Sequence, residues 1–155
     1  MKRRCSRCGK GKLRSITHPA KREIDGRVFA ADVPATRCDA CGEVLISGPG
    51  MLAFDRALTG ELARSGTVGP QGFRWLRKAA RLPSVRLAEL LDVTPGTVSR
   101  WENGKQALDR RAVALVSALA LEALGSRAAA LDLLEALAAG KKPSKRVRLD
   151  VSAAG

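Results

Sequence analysis

Two short runs, Cys5-Ser6-Arg7-Cys8-Gly9 and Cys38-Asp39-Ala40-Cys41-Gly42, contain every cysteine of the chain. In a C-x-x-C turn the two sulfurs converge on one point and the following Gly relieves the backbone, so two such turns supply the four thiolates of a tetrahedral zinc site. Four thiolates leave no position for water, which makes a zinc held by Cys5, Cys8, Cys38 and Cys41 structural, one ion per chain. Disulfide pairing would suit an exported protein, and no signal-peptide pattern opens the sequence. A thioredoxin-type dithiol needs its C-x-x-C at the start of a helix in a βαβ setting, which neither pair has.

A chain of 155 residues holds one medium domain or two small ones, and its first forty-odd residues are too few to bury a core without a staple such as zinc. The expected fold class is α+β. Residues 1–48 read as a zinc-ribbon-like β domain, 49–69 as a connecting helix and linker, 70–140 as an all-α domain of about five helices, and 141–155 as a basic, disordered tail. Lys and Arg number 28 against 15 Asp and Glu, a formal +13, and that excess points to a polyanion such as nucleic acid. A membrane surface is also anionic, but no apolar run of spanning length and no lipidation signature occur, so a soluble cytoplasmic protein is expected, nucleoid-associated when on DNA.

The positive charge is uneven. Lys2, Arg3, Arg4, Arg7, Lys10, Lys12, Arg14, Lys21 and Arg22 precede the first acid, and Lys141, Lys142, Lys145, Arg146 and Arg148 crowd the tail. The tail run has no periodic apolar face, so its expected role is at most non-specific phosphate contact.

Between the cysteine pairs, Leu13 to His18 and Glu23 to Val33 read as short strands, with Asp25-Gly26 as a hairpin turn because both positions tolerate φ > 0. Val44-Leu45-Ile46 reads as a further strand, and His18, the single histidine, as a surface residue. Ser47-Gly48-Pro49-Gly50 reads as a break before a helix from Met51 to Arg64, whose stripe is 51, 54, 58 and 62. Ser65 to Pro70 reads as a flexible linker between two halves free to reorient.

Beyond Pro70 the pattern is helical. Gln71 to Leu82 carries Phe73, Leu76 and Ala80 on one face; Pro83 and Ser84 open a second helix to Leu91; Thr94 caps a third with Pro95 at its first position. Asn103-Gly104 ends the third, Asp109 caps a fourth running to Leu124, and Arg127 to Ala139 forms a fifth. Leu87, Ala88, Leu91, Val93, Val98 and Trp101 are spaced to close a small core, with Ala88 small where two helices cross. That leaves Thr94, Gly96, Thr97, Ser99 and Arg100 on the exposed side or first turn of the third helix.

The run from Leu87 to Gly104 closely resembles the Cro/XRE-type helix-turn-helix. With the two C-x-x-C-G pairs ahead of it, residues 1 to about 108 look like the MqsA-type antitoxins, whose first half is called a YgiT-type zinc finger. The resemblance implies a zinc domain that binds a cognate toxin and a dimeric helix-turn-helix that represses the shared operon. It also implies that Glu102 is a structural acid paired with Arg77. Three departures stand out: Gly96 occupies the place of an Asn in well-matched members, Pro83-Ser84 replaces Thr-Gln at the second helix, and the chain extends past the family pattern.

Arg100 is the expected base reader, because its fork can bond guanine O6 and N7 together. Ser84, Thr94, Thr97 and Lys105 are candidate phosphate donors, while Gly96 and Ser99 complete the exposed face. Trp101 is expected in the core. No Tyr, one His, no P-loop and no paired acids in an apolar setting leave no assembled nucleophile and base, so no enzyme is expected. The leucines of the fourth and fifth helices exceed one core-facing stripe, which suggests a homodimer on a palindrome. The alternative is a stand-alone zinc-containing helix-turn-helix regulator with no toxin.

Overall fold

A computed structural model describes residues 4–126, 133 and 136–152. Strands β1 (Leu13–Ile24) and β2 (Arg27–Cys38) form one antiparallel hairpin in unbroken register from Leu13 opposite Cys38 to Ile24 opposite Arg27. Asp25 and Gly26 turn it with φ of 51° and 71°, both positive as a two-residue type I′ turn requires. The expected strands, Leu13 to His18 and Glu23 to Val33, are therefore parts of a longer hairpin of two 12-residue strands. Pro19 does not end β1, because this strand lies at the sheet's edge, where a missing N–H need not break the ladder.

β3 (Val44–Ile46) pairs antiparallel with Ala35 to Arg37 at the cysteine end of β2. At the other end β4 (Arg146–Arg148) pairs parallel with Val28 to Ala30. This corrects the expected disordered tail. Val147 and Leu149 are spaced by two, the period of a strand; Leu149 is buried and its N–H donates to the Ala30 carbonyl at 2.8 Å. The cations of 141–148 mask that alternation in a search for a helical stripe.

Helix α1 (Gly48–Arg64) begins where a break was expected. The Ser47 hydroxyl accepts from the Gly50 N–H and Pro49 sits in the first turn, so the Ser-Gly-Pro-Gly run is a helix start. Phe54, Leu58 and Leu62 of α1 are buried. Helices α2 (Pro70–Ala79), α3 (Ser84–Leu90), α4 (Pro95–Glu102) and α5 (Arg110–Ala123) follow the expected order. Thr94 and Asp109 cap α4 and α5 through their side chains. The expected helix from Arg127 to Ala139 lies largely outside the described residues; 133 and 136–138 are helical.

The expected flexible linker is pinned. Arg27, 5% exposed, reaches the Thr67 hydroxyl at 3.3 Å and the Ser144 carbonyl at 3.1 Å. The Asp25 carboxylate accepts from the N–H groups of Gly69, Gln71 and Gly72, each at 2.9 Å. One continuous apolar core runs from Ala20 and Phe29 through Leu58 and Leu62 to Phe73, Trp101 and Val116. A boundary at 69/70 thus crosses a shared core. Among the described residues no helix is long and apolar enough to cross a membrane.

Candidate metal centre and nucleic-acid interface

The hairpin brings the two cysteine pairs together, because Cys8 lies just before β1 and Cys38 ends β2. The four Sγ atoms lie within 4.8 Å of one another, with Cys5 to Cys41 and Cys8 to Cys38 each at 3.7 Å. Zinc–sulfur bonds of about 2.3 Å in a tetrahedron require sulfur–sulfur edges of about 3.8 Å. The donor set therefore fits zinc. Gly9 and Gly42 take φ of 66° and 73°, while the Gly9 N–H donates to Cys5 O and the Gly42 N–H to Cys38 O. Gly11 is required for space, since a Cβ there would lie 2.2 Å from Cys38 Sγ.

Electrostatics point the same way. Backbone N–H groups of Gly11 and Lys10 lower the Cys8 thiol to about 6. At Cys41 the Glu43 N–H favours the thiolate, but desolvation and the crowding sulfurs of Cys38, Cys8 and Cys5 outweigh it and push the thiol up to about 12. Four sulfurs this close ionise together only around a cation. Arg7 and Glu43 form an exposed ion pair across the two turns, and the Lys12 N–H donates to Asp39 at 2.8 Å. His18 stands opposite Val33 in the middle of β1, outside the cluster.

In the helical half, Leu87, Ala88 and Val98 are buried, and Trp101, 4% exposed, meets Phe73 edge-to-face at 5.9 Å. Glu102 is buried and accepts from Arg77 Nε at 2.5 Å and Arg74 Nε at 3.2 Å. Buried acids of this kind pair with cations and stay clear of phosphate. Asn103 extends the clamp: its Oδ1 accepts from Arg74 Nη2 and its Nδ2 donates to the Ser99 carbonyl. Helix α4 is therefore fixed to α2 by an aromatic contact and a polar one.

The opposite side of α4 is open. Thr94, Gly96, Ser99, Arg100 and Lys105 are exposed, Thr97 is half-buried, and Ser84 is half-buried at the first position of α3. Arg100 is held in place, its Nε donating to Gln106 Oε1 at 3.0 Å and its Nη2 to Thr97 Oγ1 at 2.9 Å. Those bonds use Nε and one N–H of Nη2, and Nη1 makes no hydrogen bond among the described residues. A Cβ at Gly96 would come within 3.3 Å of Arg100 Nη1. A side chain at 96 would ask the end of Arg100 to shift by a few tenths of an ångström, so Arg100 packs closely over Gly96.

Gln106 was invisible to the sequence reading, since it lies in a loop past the helix and belongs to no motif. Gly11 was missed for another reason: its role is to make room for Cys38, far away in sequence. Residues 73–123 match a helix-turn-helix family model. A comparison with curated proteins finds no match to the chain. The chain therefore carries a helix-turn-helix of the kind used by DNA-binding transcriptional regulators, beside a four-cysteine cluster with the geometry of a metal site.

Proposed function

We propose that this chain is a homodimeric, sequence-specific transcriptional repressor that acts by binding alone, without catalysis. Helix α4 enters the major groove, Arg100 reads guanine with the remaining N–H groups of its guanidinium, and Ser84, Thr94, Thr97, Ser99 and Lys105 contact phosphates around it. The observation that carries this reading is Arg100, exposed on α4 yet already oriented by Thr97 and Gln106. Two copies would place two α4 helices on half-sites about 10 bp apart or a multiple of it. On α5, Val113, Val116 and Leu121 are buried in the chain's own core and Leu115 is 38% exposed, so the second copy rests on the resemblance to the dimeric helix-turn-helix.

The zinc half, in this proposal, makes the chain the antitoxin of a type II toxin–antitoxin pair resembling the MqsA type. The apolar stripe of α1 is buried in the core, which leaves the outer edge of β1, unpaired along its length among the described residues, as the surface for a toxin strand. The stand-alone regulator is the second reading. It is favoured by the shared core, which makes the ribbon part of the DNA reader rather than a separate arm.

Duplex selection from a randomised pool tests the DNA half: the zinc-loaded chain should enrich a palindrome, and Arg100→Ala should lose about 1 to 3 kcal/mol of its preference for that palindrome over random duplex. Enrichment of no sequence would refute it. Co-purification with the product of the adjacent reading frame tests the toxin half, and its failure with a folded, zinc-loaded chain leaves the stand-alone reading.

A further inference from the structure

Helix α2 has no side-chain cap of its own, because its N-cap residue is Gly69. The first N–H groups of a helix need acceptors; Pro70 has no N–H, and the hairpin turn accepts from the other three. Asp25 Oδ2 accepts from Gly69 and Gly72, Oδ1 accepts from Gln71, and the Asp25 N–H donates back to Gln71 Oε1, all at 2.9 Å. The arrangement is a reciprocal capping box formed between segments 44 to 47 residues apart. Gly69 and Gly72 admit the carboxylate only because they lack Cβ atoms, which would stand 2.6 and 2.7 Å from it.

The same hairpin carries the thiolates at its other end. From there the contacts run without a gap: Cys38 closes β2, Asp25 and Gln71 join the turn to α2, and Phe73, Arg74 and Arg77 of α2 grip Trp101, Asn103 and Glu102 at the end of α4. We propose that DNA affinity is linked to metal occupancy of the cysteine site, with Asp25 as the positioning residue that transmits it. Rigid hairpin and capped α2 form one state; a hairpin loosened by metal loss withdraws the cap and frees the first turn of α2, on which α4 rests. Linkage makes the coupling reciprocal, so bound duplex also retards metal release. This proposal rests on the DNA reading above, and the experiment separates the two.

Hydrogen exchange and duplex binding are measured on the full chain, loaded with zinc, stripped by a chelator and reloaded. In the wild type, stripping should speed exchange at Gly69, Gln71 and Gly72 and weaken binding to the selected palindrome roughly fivefold or more, both restored by zinc. In Asp25→Ala the three amides should exchange fast even with zinc, and the chelator's effect on affinity should shrink toward unity. Gln71→Ala, which removes the return hydrogen bond and keeps the carboxylate, should fall between, and it stands in if Asp25→Ala fails to fold. Stripping that opens the hairpin yet leaves amides 69, 71 and 72 protected would overturn the transmission. An equal chelator effect in wild type and variant would overturn the role of Asp25. A zinc-loaded chain that selects no duplex overturns the DNA reading and the affinity half with it, while the exchange data still decide the contact.

Discussion

The helical half closes on large side chains and the sheet on small ones. Phe73, Leu76, Leu87, Val98 and Trp101 meet one another and are nearly inaccessible, whereas β1 and β2 turn Ala20, Ala31, Ala35, Val33 and Ile24 inward with Phe29 as their only aromatic. Buried alanines remove little apolar area per residue, so a hairpin of this composition is tied from outside. Thiolates tie one end; Asp25 and Arg27 tie the other. The contrast teaches that the metal and the helices support one hairpin from its two ends, each in addition to the other, and that the hairpin in turn supports the helices.

Disrupting the metal end should have the largest effect. Cys38→Ser should abolish one-to-one zinc binding, whose free energy at such sites is about 10 kcal/mol or more, and should also lower the melting temperature of the helical half because the core is shared. Helices that melt at the wild-type temperature in this variant would make the two halves independent. Glu102→Gln comes next. It takes away the buried counter-charge of Arg77 while keeping one acceptor oxygen and the bond to the Leu82 carbonyl, at a cost of about 3–5 kcal/mol by denaturant midpoint. A loss under about 1 kcal/mol would mean that α4 is held by Trp101 and its neighbours alone.

Leu149→Ala should cost about 2 to 3 kcal/mol, since the side chain is 7% exposed beneath β4. No change would return the tail to a surface appendage. The smallest effect belongs to Asp109→Ala, about 1 kcal/mol from loss of the α5 cap. The side-chain hydrogen bond from Arg111 lowers the Asp109 carboxyl from 3.8 to about 2. A depressed carboxylate stabilises above its unfolded value and stops doing so as pH falls through the folded one. The difference between wild type and variant should therefore be full above pH 3.8 and fade toward pH 2 in acid titrations of stability.

What could be read from the residues was local. Cys5 with Cys8 and Cys38 with Cys41 announce a metal because each pair sits within one turn, and Thr94, Pro95 and Gly104 mark both ends of α4 within a dozen residues. The extent of the hairpin was hidden by Pro19, a breaker in most strands and harmless at an edge. The second role of Asp25 was hidden because a capping box is ordinarily sought three residues from its cap, and here the partners lie far apart in sequence. In the tail, cations at 146 and 148 obscured the alternation of Val147 and Leu149. Gly96 reads as a departure from the sequence alone, and the structure adds that the end of Arg100 packs closely over it.

The central functional claim is that Arg100, cradled by Thr97 and Gln106, bonds a guanine edge. It is tested most directly by a cycle that removes each partner of that contact: Arg100→Ala in the protein, and 7-deazaguanine, which lacks the N7 acceptor, at the guanines of the selected palindrome. Arg100→Ala should cost about 1 to 3 kcal/mol of discrimination, the 7-deaza change less because O6 still accepts, and the two together no more than Arg100→Ala alone, because the bond to N7 is already gone. Fully additive losses, or an Arg100→Ala protein weakened equally on palindrome and random duplex, would contradict it and reduce Arg100 to a phosphate contact.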